Sequence, residues 1–351
     1  MRPINKLRYC LAAAIPVVAL AACSSGSSSG VATGPAPEVP SITIDVVPTA
    51  DAAGIYIAQD DGYFAQQGLK VTIKSINGGE YGMGDLQTNS VQLVEGNYVS
   101  FILAQIAGKF AAPNPTNPAA PPEPSKPINM RMIADTSQMQ AGNQALYVLP
   151  SSPYKTVQQL VKGHAEVGVN TLNNIGSVLL GSLLTSDGYG VTALKQVPEV
   201  LPMMPELLEK HVIPAAWLPE PFGTQAEQDY GAVQLADFDE GSLQNFPIGT
   251  IVGNAPWIQS HPYTVAAFLR AFQEGQQVAD TDRQAVETAL EKNTQGMTPM
   301  VAATMTIDTY PLVMDVPVMQ RVSDAMYEFG VIKKQFNLAS MIQPESGEIG
   351  G

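Results

Sequence analysis

Ile42-Thr43-Ile44-Asp45-Val46-Val47-Pro48-Thr49-Ala50-Asp51 decides the fold class. Ile42, Ile44 and Val46 alternate with Thr43 and Asp45, the two-residue period of a strand. Pro48 to Asp51 reads as a turn, with Asp51 placed to cap a helix from Ala52 to Asp61 that ends at Gly62. Gly68 then leads into a second strand, where Leu69, Val71 and Ile73 alternate with Lys70, Thr72 and Lys74. Val91 to Val94 reads as a third strand and Val99 to Ala107 as a helix. Strands alternating with helices predict an α/β chain with a parallel sheet covered by helices.

Residues 111–127 interrupt this rhythm with Pro113, Pro115, Pro118, Pro121, Pro122, Pro124 and Pro127, predicting an extended surface loop. Beyond it, strands are expected at Met130–Ala134, Leu146–Leu149, Val167–Val169 and Val212–Trp217. Helices are expected at Asn174–Thr185, around Leu207 and Leu208, from Pro262 with Val265, Phe268, Leu269 and Phe272 on one face, and from Pro317 to Gly330. No internal repeat is visible.

The N-terminus determines location. Arg2, Lys6 and Arg8 precede an apolar run from Leu11 to Leu20, and Leu20-Ala21-Ala22-Cys23 closes it with small residues before a cysteine. This is the layout of a secretory signal, and the apolar run is too short to cross about 30 Å of hydrocarbon as a permanent helix. It resembles a bacterial lipoprotein signal, 1–22, which implies lipid on Cys23 and residence on the outer face of the cell membrane. Residues 23–40, rich in Ser, Gly, Ala and Pro, are expected to be a flexible tether.

Removing the signal takes the net charge from −14 to −17, which argues against nucleic acid and against a polybasic membrane footprint. Cys10 leaves with the signal and Cys23 carries lipid, so neither a disulfide nor a zinc–thiolate site is expected. His164, His211 and His261 stand apart in no metal-ligand spacing, and nothing calls for a metal or a cofactor. No Ser-His-Asp order, nucleophile elbow or phosphate loop is present.

Several segments, in order, resemble the solute-binding lipoproteins of ABC importers, in the branch for sulfonates, nitrate and thiamine-pyrimidine precursors. They are Gly54-Ile55-Tyr56-Ile57-Ala58-Gln59-Asp60-Asp61-Gly62-Tyr63-Phe64 with Gly68-Leu69, the Val157–Gly163 turn, and Ala215-Ala216-Trp217-Leu218-Pro219-Glu220-Pro221-Phe222. Ser260-His261-Pro262 with Phe268-Leu269-Arg270-Ala271, and the Gln320–Gly330 helix, complete the set. Gln92 stands where the family has aspartate and Asn89 where it has glycine. The resemblance implies two doubly wound lobes with mostly parallel sheets joined by a two-strand hinge, the type II periplasmic binding protein fold. Lobe 1 would hold 42–138 and 245–342, lobe 2 would hold 139–244, and 343–351 would be a flexible tail. The implied partners are a small solute and a permease, the expected state a monomer, and the expected activity binding without catalysis. A solute-sensing or surface lipoprotein, or a pyrimidine-synthase-like enzyme, are the alternatives. That enzyme branch uses iron, a histidine and a cysteine cluster, and the mature chain lacks the cysteines.

In parallel α/β sheets ligands gather at the carboxyl ends of strands. That rule selects Thr49 and Asp51, Glu80 and Tyr81 in a glycine-rich loop open to close approach, Asn97 and Tyr98, Thr136 beside Asp135, and Thr171 and Asn174. Asp51 and Asn174 serve equally well as helix caps. Trp217 and Glu220 join them, with Glu220 fixed between two prolines; a hinge corner is the structural alternative. These loops carry Asp51, Glu80 and Asp135 but no Lys or Arg, whereas an isolated anion gains most from an arginine fork. The expected ligand is therefore a neutral or cationic nitrogenous compound, a pyrimidine-like precursor or an amine, with a sulfonate or nitrate as the alternative. It would donate to Glu220 and stack on Tyr98, Tyr81 or Trp217.

Overall fold

The computed structural model describes residues 34–107 and 127–343. The expected signal, the Cys23 lipid site, most of the tether and of the tail, and nearly all of the proline-rich loop lie outside these residues.

Ten strands form two sheets of five. They are β1 (Ser41–Val46), β2 (Lys70–Ser75), β3 (Leu93–Asn97), β4 (Met130–Gln138), β5 (Gln144–Val148), β6 (Glu166–Val169), β7 (Lys195–Pro198), β8 (Ala215–Pro219), β9 (Val233–Asp237) and β10 (Pro247–Asn254). The first sheet has the order β2-β1-β3-β10-β4 and the second β7-β6-β8-β5-β9. β10 is antiparallel to both its neighbours, as β5 is in the second sheet, so four strands of each sheet share one direction. The α/β class with two mostly parallel, doubly wound sheets is therefore present.

The chain passes between sheets along β4 to β5 and returns along β9 to β10. The two crossings lie side by side: Gln138 pairs with Pro247, and Met139 N–H donates to Phe246 O at 2.8 Å. Helices Ala53–Asp60 and Pro262–Thr281 cover one face of the first sheet, burying Ile55, Phe268 and Phe272 against Ile44 and Ile251. Helix Ile175–Ser186 packs on the second sheet, and helix Val316–Glu328 buries Met319, Val322 and Met326 in the same continuous core.

Several boundaries shift for physical reasons. The third strand starts and ends later than its apolar run, at Leu93–Asn97, which draws Glu95 and Gly96 into the sheet. Likewise the strand expected at Val212–Trp217 is Ala215–Pro219. Val157–Lys162, expected as a turn, is a short helix capped by Thr156, whose side chain accepts from Gln159 N–H. Asp51 is not a cap, because a single 3-10 turn (Ala50–Ala52) precedes the helix and engages Asp51 elsewhere. The tether does not extend to residue 40. Glu38 accepts from the backbone N–H groups of Tyr263 (2.9 Å) and Thr264 (2.7 Å), at the start of a helix where His261 provides no side-chain cap.

Candidate functional site

The carboxyl ends of β1 and β3 face those of β6 and β8 across a cleft that is closed to a cavity of about 20 Å³. The volume is that of a single water-sized group. Thr49, Asp51, Glu95 and Asn97 line it from the first sheet's side, and Gln144, Asn170 and Trp217 from the second's. A larger hollow of about 290 Å³, beside Leu179 and Phe329, lies on the outer flank and contains none of the expected site residues.

Each lining group can be traced to its local structure. Asp51 is held by two short hydrogen bonds, from Thr49 Oγ1 and Ser137 Oγ, both at 2.6 Å. Asn97 turns its Oδ1 to Ser100 N–H at 3.1 Å, capping the following helix. Trp217 Nε1 donates to Gln144 Oε1 at 3.1 Å, fixing the indole as a wall. Glu95 accepts from Val47 N–H at 3.0 Å through Oε2, while its Oε1 is buried without a partner.

The lip of the cleft is made differently. Glu80 Oε2 accepts from Ser100 Oγ (2.8 Å) and, across the cleft, from Asn174 Nδ2 (3.0 Å); its Oε1 accepts from Thr171 Oγ1. Asn170 Nδ2 and Leu201 N–H add donations to Asn77, each at 3.2 Å. Asn174 is also the N-cap of its helix, accepting from Ile175 N–H at 2.8 Å, so the cap reading is the one the structure fills.

Among the expected site residues, Thr49, Asp51, Asn97 and Trp217 thus line the cavity, and Glu80, Thr171 and Asn174 join the two halves. Four others are turned away. Glu220 directs its carboxyl to Thr224, accepting from its N–H (3.1 Å) and Oγ1 (2.7 Å) in the first turn of helix Phe222–Tyr230. It forms a structural corner after β8, with a cis bond to Pro221 and its backbone O taken by Ala50 N–H at 3.0 Å. Tyr98 is fully buried and donates to Asp135 Oδ1 at 2.9 Å, so it presents no stacking face. Tyr81 lies under its loop, its phenol pushed up to about 12 by burial and then by Glu80. Thr136 packs against Gly249, where a Cβ would lie 2.1 Å from its Oγ1. The glycines of the 77–82 loop also serve packing rather than ligand approach: side chains at Gly78 and Gly79 would collide with Glu80 and Phe101.

Two functional groups escaped the sequence reading, Glu95 and Asp308. Asp308 comes from the C-terminal segment, hydrogen-bonds to Asp51 and takes a bond from Asn143 Nδ2. The cleft and hinge are consequently acidic. Burial raises Asp51, Glu95 and Asp308, and proximity to Asp51 adds to the rise at the latter two. Burial also pushes Glu220 and Asp135 to about 7. No Lys or Arg lines the cavity. Among the described residues, no three acidic, histidine or cysteine side chains converge as metal ligands. His164 and His211 take left-handed backbone after helix ends, and His261 stacks on Trp257.

Two α/β halves hinged on paired crossings around an interfacial cavity define the class of two-lobed solute-binding folds. Residues 35–291 match the NMT1-like family, and the chain belongs to it. No curated protein matches the chain. The alkanesulfonate-binding protein of Xanthomonas axonopodis pv. citri, solved with MOPS, superposes with a TM-score of 0.69 at 14% identity, covering 87% of this chain and 99% of that one. The periplasmic nitrate-binding protein of Synechocystis PCC 6803 gives 0.69 at 14%, covering 87% and 85%. A desulfurization enzyme shares the fold as well, at 0.61 and 13% identity over 88% and 97%. The resemblance in the sequence to this family of binding proteins therefore holds. No described helix is long and apolar enough to cross a membrane.

Proposed function

We propose that this protein is an extracytoplasmic solute receptor, tethered through lipid on Cys23, that closes on a small nitrogenous solute and presents it to an ABC importer permease. The observation that carries the reading is the interfacial cavity, lined by Asp51, Glu95 and the amides of Asn97, Gln144 and Asn170, with no basic side chain. Such a lining favours a neutral or cationic donor over a sulfonate or nitrate, since an anion would meet buried acids and no counter-charge. A cavity of about 20 Å³ admits only a headgroup, so a larger solute enters while the halves are parted and is gripped as they close. Binding without chemistry fits the histidines, which stand outside the cavity lining.

Native mass spectrometry of protein purified from its own host tests this directly: a retained small amine or pyrimidine-like molecule is expected. Calorimetry on the stripped protein should show aminopyrimidines or amines binding at micromolar affinity. Micromolar nitrate or taurine, with no response to pyrimidines and amines, defeats the ligand assignment. Cys23→Ser should release the protein from the membrane fraction, and retention there would defeat the anchor.

A further inference from the structure

We propose that Glu95 is the counter-ion for a protonated amine or amidine on the solute, with Asn170 Oδ1 taking a second N–H from the opposite wall. This rests on the receptor reading above and adds the charge, the contacting atoms and a linked proton. Both groups line the same cavity, one from each half. Both have one oxygen that is buried and without a partner, Glu95 Oε1 and Asn170 Oδ1. Their other atoms are fixed: Glu95 Oε2 by Val47 N–H, and Asn170 Nδ2 by the Asn77 carbonyl. Two buried acceptors without partners, one on each wall of the same cavity, suit a ligand that brings N–H groups, because buried acceptors are almost always satisfied.

The surroundings determine what kind of N–H group fits. Asp51 faces Glu95 from the turn before helix Ala53–Asp60, with Asp308 hydrogen-bonded behind it, and Tyr56 faces it from that helix. None of these is cationic. A neutral donor would satisfy the geometry alone, whereas a cation also suits a lining that carries acids and no basic side chain.

The same surroundings link binding to a proton. Burial first, and Asp51 second, raise the Glu95 carboxyl above the usual carboxylate range, which favours its protonated form in the empty site. When the cation enters, the carboxyl becomes a carboxylate, the ammonium stays charged, and the displaced proton passes to solvent. One cation taken up balances one proton released.

The test uses the full chain with methylammonium, ethanolammonium and benzamidinium chlorides as cationic probes, and sodium methanesulfonate and nitrate as anionic ones. Calorimetry in two buffers of different ionisation enthalpy should show at least one cation binding with release of about one proton. Glu95→Gln keeps the Val47 bond and the volume. It should weaken that cation on the order of tenfold or more and abolish the proton release, while a melting curve confirms that it folds. No binding by any of the three cations, or binding unchanged in E95Q, overturns the proposal. Anion binding without cation binding also overturns it, and leaves the receptor reading standing.

Discussion

Glu80 and Glu95 are the same residue on the same half of the molecule, each about 1% exposed, yet they do opposite work. Glu80, at the lip, is surrounded by donors: Thr171 and Asn174 from across the cleft and Ser100 from its own side. Glu95, on the floor, has one backbone donor and one oxygen with nothing. A buried carboxylate with every lone-pair direction answered fixes a geometry, and one left half-answered invites a ligand. The lip joins the halves, and the floor is where we propose that the solute is recognised. The sharpest ways to break this division follow in order of expected size.

Glu80→Gln keeps the volume but places an amide N–H₂ against neighbours that are themselves donors. It should cost the closed form about 3 kcal/mol, since hydrogen bonds to charged acceptors contribute the most and unmet buried donors are penalised. Small-angle scattering should then show an opened particle and the melting temperature should fall; an unchanged scattering profile would remove the lip from the mechanism. Gly96→Ala comes next. A Cβ there would sit 2.9 Å from Gly79 Cα, and backbone atoms cannot move aside as a side-chain tip can. Overpacking of this kind costs about 2 kcal/mol. It would lift the 77–82 loop from β3 and disturb lip and floor together, so E80Q and G96A should combine non-additively in thermal melts.

Asp135 and Glu220 extend the comparison to acids paired within one half, Asp135 with Tyr98 and Glu220 with Thr224. Burial raises them from the usual carboxylate values of 3.8 and 4.5 to about 7. Between those values the folded chain binds more protons than the unfolded one, so stability is greatest below about pH 4 on this account and falls as pH rises towards 7. Each group contributes a slope of about 1 kcal/mol per pH unit within that window, flattening above it. Chemical denaturation at pH 5, 6, 7 and 8 should show the decline. D135N and E220Q should each flatten it, and a curve that rises from pH 5 to 7 would contradict the raised values.

Period-two alternation in β1 and β2 and the apolar stripe of helix Pro262–Thr281 were legible because each buries one regular face. β10 was not: Pro247, Gly249 and Gly253 lower strand propensity, and only burial between β3 and β4 makes it a strand. At the site, the rule of carboxyl ends picked out Thr49, Asp51 and Asn97, which line the cavity, as does Trp217, added from the segment before Pro219-Glu220-Pro221. Glu220, added with it, is turned away to a local partner four residues on, Thr224, a helix-start pairing that the two prolines obscured. Tyr98 failed because a phenol at a helix start can turn inwards as readily as outwards. Glu95 was hidden between Val94 and Gly96, although a charge at the buried end of a strand, just before a glycine, is a readable signal. Asp308 gave no such signal, being brought to Asp51 from 257 residues away by tertiary structure alone.

The smallest expected effect is the most diagnostic, because it sets the two glutamates against each other through one chemical change. Glu95→Gln in the ligand-free protein removes a carboxyl that burial and Asp51 both disfavour in its charged form. Its remaining amide oxygen can still accept from Val47 N–H, and its new N–H₂ meets a lining rich in acceptors, Asn170 Oδ1 among them. Below about pH 5 the variant should therefore lie within about 1 kcal/mol of the parent, on the stable side, and its advantage should grow as pH rises above the ordinary carboxylate range, where the unfolded parent ionises and the buried carboxyl resists. The same Glu-to-Gln change that opens the lip should tighten the floor. Equal destabilisation by E80Q and E95Q in parallel denaturant melts would show that both acids are merely structural, and the division drawn between them would fail.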